Sequence, residues 1–72
     1  MTGLRIILVS PLADGWAVIC AGLEPLVFRS GARAEAQAKK LAACLAKLGR
    51  AVQVRIHDRA RNLIATQLYP AV

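Results

Sequence analysis

His57-Asp58 is the one place in this chain where an imidazole and a carboxylate are neighbours, and a carboxylate beside an imidazole can orient it as a general base. The pair closes an alternating run, Val52 to His57, and adjacent residues on a strand point to opposite faces. Asp58 is therefore read as capping the turn that follows through its own backbone, with His57 on the polar face. No third group completes a triad. For a metal the candidate ligands are Cys20, Cys44, His57 and Asp58, and neither C-x-x-C nor H-x₃-H spacing occurs among them. Gly3, Gly15, Gly22, Gly31 and Gly49 are each isolated, which excludes a glycine-rich phosphate loop. Asp14, Glu24, Glu35 and Asp58 are scattered over separate elements and form no acid pair. The residues thus predict no catalytic centre, no metal, no cofactor and no small-molecule substrate.

Charge offers a second kind of chemistry. Ten Lys and Arg stand against four Asp and Glu, a formal net charge of +6 over 72 residues. Arg55, Arg59 and Arg61 gather with His57 around the last hairpin, while Arg33, Lys40 and Lys47 recur at heptad spacing on the outer side of a helix. Both groups are candidate phosphate-tracking surfaces. The pattern matches neither a helix-turn-helix nor a zinc finger. Trp16, Phe28 and Tyr69 are the whole aromatic stock, too few for the stacking platforms of single-strand binders. A Lys/Arg stripe on a helix is more commonly a solvated face, so nucleic-acid binding is kept as the alternative function.

The elements that must position these residues follow from periodicity. Leu4 to Val9, rich in Ile and Val, reads as a strand closed by Ser10-Pro11, and Asp14-Gly15 supplies the reversal. Trp16 to Ala21 is a second strand and forms a hairpin with the first. Leu26 to Arg29, entered through Pro25, is a short third. Ser30 is the expected N-cap and Gly49 the expected C′ residue of a helix. Ala34, Ala38, Leu41, Leu45 and Leu48 fall on one stripe of it, the predicted core face, meeting Val52, Val54, Ile56 and Phe28. Seven alanines between Ala32 and Ala46 raise helix propensity throughout. Past Gly49 the period changes to 2 for the strand Val52 to His57. The loop Asp58 to Asn62 then leads to a last strand, Leu63 to Tyr69, ended by Pro70. The order β-β-β-α-β-β predicts an α+β domain spanning 1–72, one amphipathic helix lying across a twisted antiparallel sheet. Trp16, at the head of its strand, is expected to close one end of that layer as a core residue.

Size and composition bound the rest. A chain this short has room for one domain and buries only about 60% of its unfolded surface, while an apolar fraction of 57% separates it from disordered sequences. Two cysteines are too few for the disulfide framework of a small secreted domain, so a cytoplasmic location is expected. The stretch Ile6 to Leu23 carries one charge, Asp14, but Ser10-Pro11 and Asp14-Gly15 interrupt it and no small-x-small cleavage site follows. Neither a signal peptide nor a membrane span is expected from it.

With the elements in place, Asp14-Gly15-Trp16-Ala17-Val18, Phe28-Arg29-Ser30, Glu35-Ala36, Ala42, Gly49, Val54-Arg55-Ile56-His57-Asp58 and Ile64 together resemble a family of small bacterial proteins known only as a domain of unknown function (number 2188). The resemblance covers roughly Ile6 to Leu68 and rests on scattered residues. It implies a one-helix, antiparallel-sheet fold and carries over no catalytic residue. In that family the turn after the His-Asp pair usually contains glycine. Here Arg59-Ala60-Arg61-Asn62 has none, so Asn62 is expected to take any left-handed position.

In the first two strands both faces are apolar: Arg5, Ile7 and Val9 against Leu4, Ile6 and Leu8, then Trp16, Val18 and Cys20 against Ala17, Ile19 and Ala21. One helix covers one face. The uncovered face, placed around Ile7, Val9 and Ile19, predicts a homodimer or docking on another protein. The function expected from sequence is therefore a small, non-enzymatic protein-interaction module that self-associates through its sheet.

Overall fold

The computed structural model describes residues 3–72. Among them the chain forms β1 (Arg5–Leu12), β2 (Gly15–Cys20), β3 (Leu26–Phe28), α1 (Gly31–Lys47), β4 (Val52–His57) and β5 (Leu63–Tyr69), the expected element order. The strands make a five-stranded sheet in the order β3-β2-β1-β4-β5. Two antiparallel neighbours flank each other on one side, β1 with β2 and β2 with β3, and β4 pairs antiparallel with β5 on the other.

The central pair corrects the antiparallel expectation. β1 and β4 run parallel, from Arg5 opposite Val52 to Val9 opposite Ile56. A helix of 17 residues between β3 and β4 is a crossover connection: it returns the chain to the end of the sheet where β3 began. β4 must then run in the direction of β3 and β1, and beside β1 that means parallel. The sheet is mixed for that reason.

β1 is longer than its sequence suggests, because the hairpin turn contains only Ala13 and Asp14 and the ladder runs to Leu12 opposite Gly15. Pro11 lies beyond Val9, the last β1 residue that β4 pairs, where β1 has a neighbour on one side only and a missing N–H is tolerated. Gly15 is required by close approach: a Cβ there would collide with the Phe28 carbonyl oxygen of β3.

Ser30 caps α1 as expected, its hydroxyl accepting from the Arg33 N–H at 3.3 Å, and Gly49 adopts φ +90° just past the end, the left-handed C′ position that favours glycine. The face that α1 buries is narrower than the predicted stripe. Ala34, Ala38, Ala42 and Ala46, one every four residues, are the buried positions. Leu41 and Leu45 are half-buried beside that ridge. Leu48 is 73% exposed, because the helix stops at Lys47 and Leu48 forms its C-cap. Methyl side chains along the ridge let the helix axis come close to the sheet; leucines in the same row would hold it away. The ridge rests on Ile7, Val9, Val18, Val52 and Val54, all essentially without exposure, with Ile56 and Cys20 completing the core. Trp16 and Phe28, opposite one another across β2 and β3, pack against this cluster at one end, Trp16 half-buried there and not a fully buried core residue.

The covered face therefore includes Ile7 and Val9. This corrects their assignment to the free face: the register places Ile7 opposite Cys20 and Val9 opposite Val18, on the helix side, whereas Ile19 lies opposite Leu8 on the other side. Arg5 shares the parity of Ile7, and its charge suggests a solvent face. In the fold it sits at the strand end, and its guanidinium reaches over to donate to the Ala21 carbonyl at 3.2 Å. No helix among the described residues is long and apolar enough to cross a membrane.

The alanine ridge yields a direct test. Ala38→Leu should destabilise the domain by about 1–3 kcal/mol through overpacking, while Leu48→Ala should stay within about 0.5 kcal/mol of the parent, both read by urea denaturation. A neutral Ala38→Leu would mean that the helix is not seated this closely.

Candidate functional site

The face of the sheet that α1 leaves open carries Ile6 and Leu8 from β1, Ala17 and Ile19 from β2, Val27 from β3, and Thr66 and Leu68 from β5. Between them runs the polar row Gln53, Arg55, His57 of β4. Ladder pairing makes the apolar part continuous, with Leu8 opposite Ile19 and Ala17 opposite Val27. Ile19 is 38% exposed and Val27 68%, and Leu68 lies opposite Gln53 at 59%. Of the predicted interface residues, Ile19 belongs to this face. Ile6, Leu8, Val27 and Leu68 were not singled out by sequence reasoning. The signal that finds them is parity: two residues in the turn fix which alternate positions of β1 go with which of β2.

Arg55 lies on the same face with its Nε donating to Gln53 Oε1 at 2.7 Å, so its guanidinium is laid along β4. His57 is half-buried, and its Nδ1 donates to the Val9 carbonyl at 3.2 Å, bridging the ends of the central parallel pair. The His-Asp neighbours are not a dyad. Asp58 turns into the β4–β5 loop, where its Oδ1 accepts from the N–H groups of Ala60 and Asn62, each at 2.9 Å, and Asn62 Nδ2 donates to Oδ2 at 3.4 Å. This is the capping role read from the sequence. The left-handed residue in the loop is Arg61, φ 66°, not Asn62, because the backbone and side-chain amides of Asn62 are both held by Asp58 and the chain reverses one residue earlier.

Arg59 is a staple between two loops. Its guanidinium lies 4.8 Å from the Trp16 ring centroid and donates to the Leu12 carbonyl, tying the β4–β5 loop to the β1–β2 hairpin. Of the other predicted cations, Arg33, Lys40 and Lys47 are exposed along the outer side of α1, and Arg61 is exposed in the loop. Lys39, beside them, is paired with Glu35 at 2.9 Å, which raises its pKa. The fold does not merge the two basic groups: Arg55 and His57 face away from the helix, whereas Arg33, Lys40 and Lys47 lie beyond it on the opposite side.

The candidate metal ligands are likewise separated. Cys20 is buried beneath α1, Cys44 is exposed on the helix and His57 is on the open face; no group of three metal-ligating side chains occurs among the described residues. A depression of about 500 Å³ at the open end of β1 and β2 is lined by Leu4, Arg5, Ile6, Cys20, Ala21 and Gly22. Its one charged group, Arg5, is engaged with Ala21 and lies 4.0 Å from the Cys20 Sγ.

No family model matches this chain, and no curated protein or solved structure matches it either. The resemblance drawn above thus stands on its quoted residues alone.

The loop carries a pH prediction. Asp58 is held below the usual carboxylate range, first by the Asn62 N–H that donates to it, then by the Asn62 side chain, the Ala60 N–H and the charge of His57, with desolvation opposing. A folded-state pKa below the unfolded one means that the loop bonds contribute above the ordinary carboxyl pKa and are lost as the pH falls through the lower folded value. In an NMR titration the Asp58 carboxyl should move below the usual range, together with the Ala60 and Asn62 amides, and Asp58→Ala should remove that transition. An Asp58 titrating as an ordinary carboxylate would show that the loop is not held this way.

Proposed function

We propose that this chain is a small non-enzymatic protein-interaction module that self-associates through its sheet. The observation that carries the reading is the open face, where Ile6, Leu8, Ile19 and Val27 lie side by side across three strands with no element over them. Ile6 and Leu8 are half-buried and Ile19 and Val27 exposed; an apolar face of this kind marks interaction sites, and a two-fold copy is the simplest cover for a chain of this size. The total surface supports the reading: 4852 Å² is exposed, against about 4,300 Å² for a typical monomer of this mass. Non-enzymatic is proposed because the groups that could do chemistry have structural partners: His57 the Val9 carbonyl, Asp58 the loop amides, Arg59 the Trp16 ring. A cytoplasmic location, from the two unpaired thiols Cys20 and Cys44, belongs to the same proposal.

The alternative, nucleic-acid binding, has in its favour the exposed line Arg33, Lys40 and Lys47. Against it, Arg55 and Arg59 are engaged within the domain and lie away from that line. Salt separates the two functions by sign. Copies that each carry +6 repel, so added salt should strengthen self-association. Contacts to about four phosphates of a duplex should instead weaken roughly a hundredfold between about 50 and 200 mM salt.

Sedimentation equilibrium at tens of micromolar should show a self-associating species that Ile19→Lys weakens about tenfold or more, with circular dichroism unchanged. Ile7→Lys, placed under the helix, should unfold the domain instead. A wild-type monomer at that concentration overturns the reading, and low-salt fluorescence anisotropy showing tight, salt-sensitive RNA or DNA binding would put the alternative in its place.

A further inference from the structure

A five-stranded sheet in the order β3-β2-β1-β4-β5 has two edges, and this chain treats them differently. β3 is three residues long, entered through Pro25 and left through Arg29, which gives little for another strand to pair with. β5 is seven residues, Leu-Ile-Ala-Thr-Gln-Leu-Tyr, with six of the seven exposed and neither a charge nor a proline within it. Along such an edge every second residue turns its N–H and C=O away from the sheet, and only another extended chain satisfies the row. The features that natural edges use for protection are confined to the ends of β5. A register shift opposite Ile56/His57 lies at its loop end and leaves Ala65 to Tyr69 in regular pairing with β4. Beyond Pro70 the tail is drawn to the helix, where the Val72 N–H donates to the Ala46 carbonyl at 3.0 Å.

We infer that two copies of this chain join edge to edge through β5, in an antiparallel two-fold pairing centred on Thr66, so that their sheets continue as one. The inference rests on the self-association proposed above and adds to the open face a second, separate contact along the β5 edge. A strand paired antiparallel with its own copy places residue i opposite residue j with i + j constant. Opposed side chains must share a face, so that constant is even and one residue lies opposite itself. Thr66 is the midpoint of Leu63–Tyr69, and centring there pairs Ile64 to Leu68 of one copy with the same segment of the other. Ile64 then faces Leu68, Ala65 faces Gln67 and Thr66 faces Thr66, a set of apolar, polar and hydroxyl pairs of the kind that stabilises ladders, while the register shift at the loop end turns Leu63 out of this ladder.

Charge selects a second copy as the occupant. Each copy carries +6, yet β5 has no charge, so the seam is the part of the molecule where two copies meet without direct repulsion. Arg61, the cation next to β5, precedes the strand, and a two-fold axis sends the two Arg61 residues to opposite ends of the seam. Arg55 lies one strand in from it and is turned along β4 to Gln53.

Thr66→Cys in a Cys44→Ser background tests the geometry, since Cys20 is buried and Cys44 is the exposed native thiol. Directly opposed Cβ atoms in an antiparallel pair are about 4.5–5.5 Å apart, close enough for a disulfide to close after a small adjustment. Mild oxidation should convert this variant to a covalent dimer on a non-reducing gel, while Cys44→Ser alone and Cys44→Ser with Lys47→Cys on the outer helix stay monomeric there. Thr66→Lys, which sets two ammonium groups across the seam, should weaken self-association about tenfold or more without changing the circular dichroism. Covalent dimer from Thr66→Cys with Ile19→Lys still associated would uphold the edge and sink the open-face contact. Dissociation by Ile19→Lys, with no covalent dimer from Thr66→Cys, would overturn the edge and leave the face. A monomeric wild type would overturn both.

Discussion

The contact between the alanine ridge of α1 and the valine and isoleucine side chains of β1, β2 and β4 sets what every other surface of this molecule can be. A helix is about 10 Å across, and five strands at about 4.8 Å spacing span about 19 Å. One helix can therefore seal the middle of the sheet and no more. Ile7, Val9, Val18, Val52 and Val54 lose nearly all exposure beneath it, while β3 and β5, at the margins, remain largely open. No described helix or strand packs over the opposite face, where Ala17 is buried, Ile6 and Leu8 are half-buried and Ile19 and Val27 are exposed. An apolar fraction of 57% leaves too many apolar side chains to hide in that one layer, and the surplus appears on the open face and along β5.

The crossover decides how that surplus is arranged. Because α1 carries the chain from β3, at one edge, to β4 on the far side of β1, the strand with most polar alternation lies beside the apolar hairpin instead of beyond it. On the open face this sets Gln53, Arg55 and His57 in a row between the hydrophobic part formed by β1 to β3 and the uncharged β5. The apolar surface is thereby divided into a broad patch on one side and a narrow edge on the other. The two can engage different surfaces of a second copy without competing for the same side chains.

Much of this organisation could be read from the residues. Element order follows from a change of period, 2 to 3.6 and back, with Ser30 and Gly49 marking the helix ends, and those signals are local. What could not be read are relations between distant segments. The parallel pairing of β1 with β4 depends on where the helix delivers the chain, which no periodicity encodes. The stripe read from sequence begins correctly with Ala34 and Ala38 and then follows the larger Leu41, Leu45 and Leu48; the buried row continues instead through Ala42 and Ala46, whose role is to permit close approach and which are indistinguishable by propensity from alanines on the solvent side. Ile7 and Ile6 are the same residue type in adjacent positions, and only the two-residue turn, by fixing register, tells which is covered. In the loop, Asp58 was legible as a cap because an Asp at a strand end has few other uses, whereas the left-handed conformation fell on Arg61, a residue type that gives no hint of it.

The basic residues can then be understood by what they do not touch. Two of the candidates for binding are joints of the domain: Arg59 ties loop to hairpin over Trp16 and Arg55 lies along β4. Of those left free, Arg33, Lys40 and Lys47 stand on the outer side of α1 and Arg61 in the β4–β5 loop. Net charge of one sign keeps a small protein soluble while it carries exposed apolar surface, and repulsion opposes indiscriminate clustering. For the proposed self-association, repulsion alone would not set an end point; the edges would. With β3 short and β5 long, a sheet can be extended at one end only, and a two-fold pairing of β5 with β5 consumes that end on both copies at once. The joined sheet would terminate in two β3 strands, neither of which offers a ladder to a third chain, so edge pairing closes at two copies and does not propagate into a fibre.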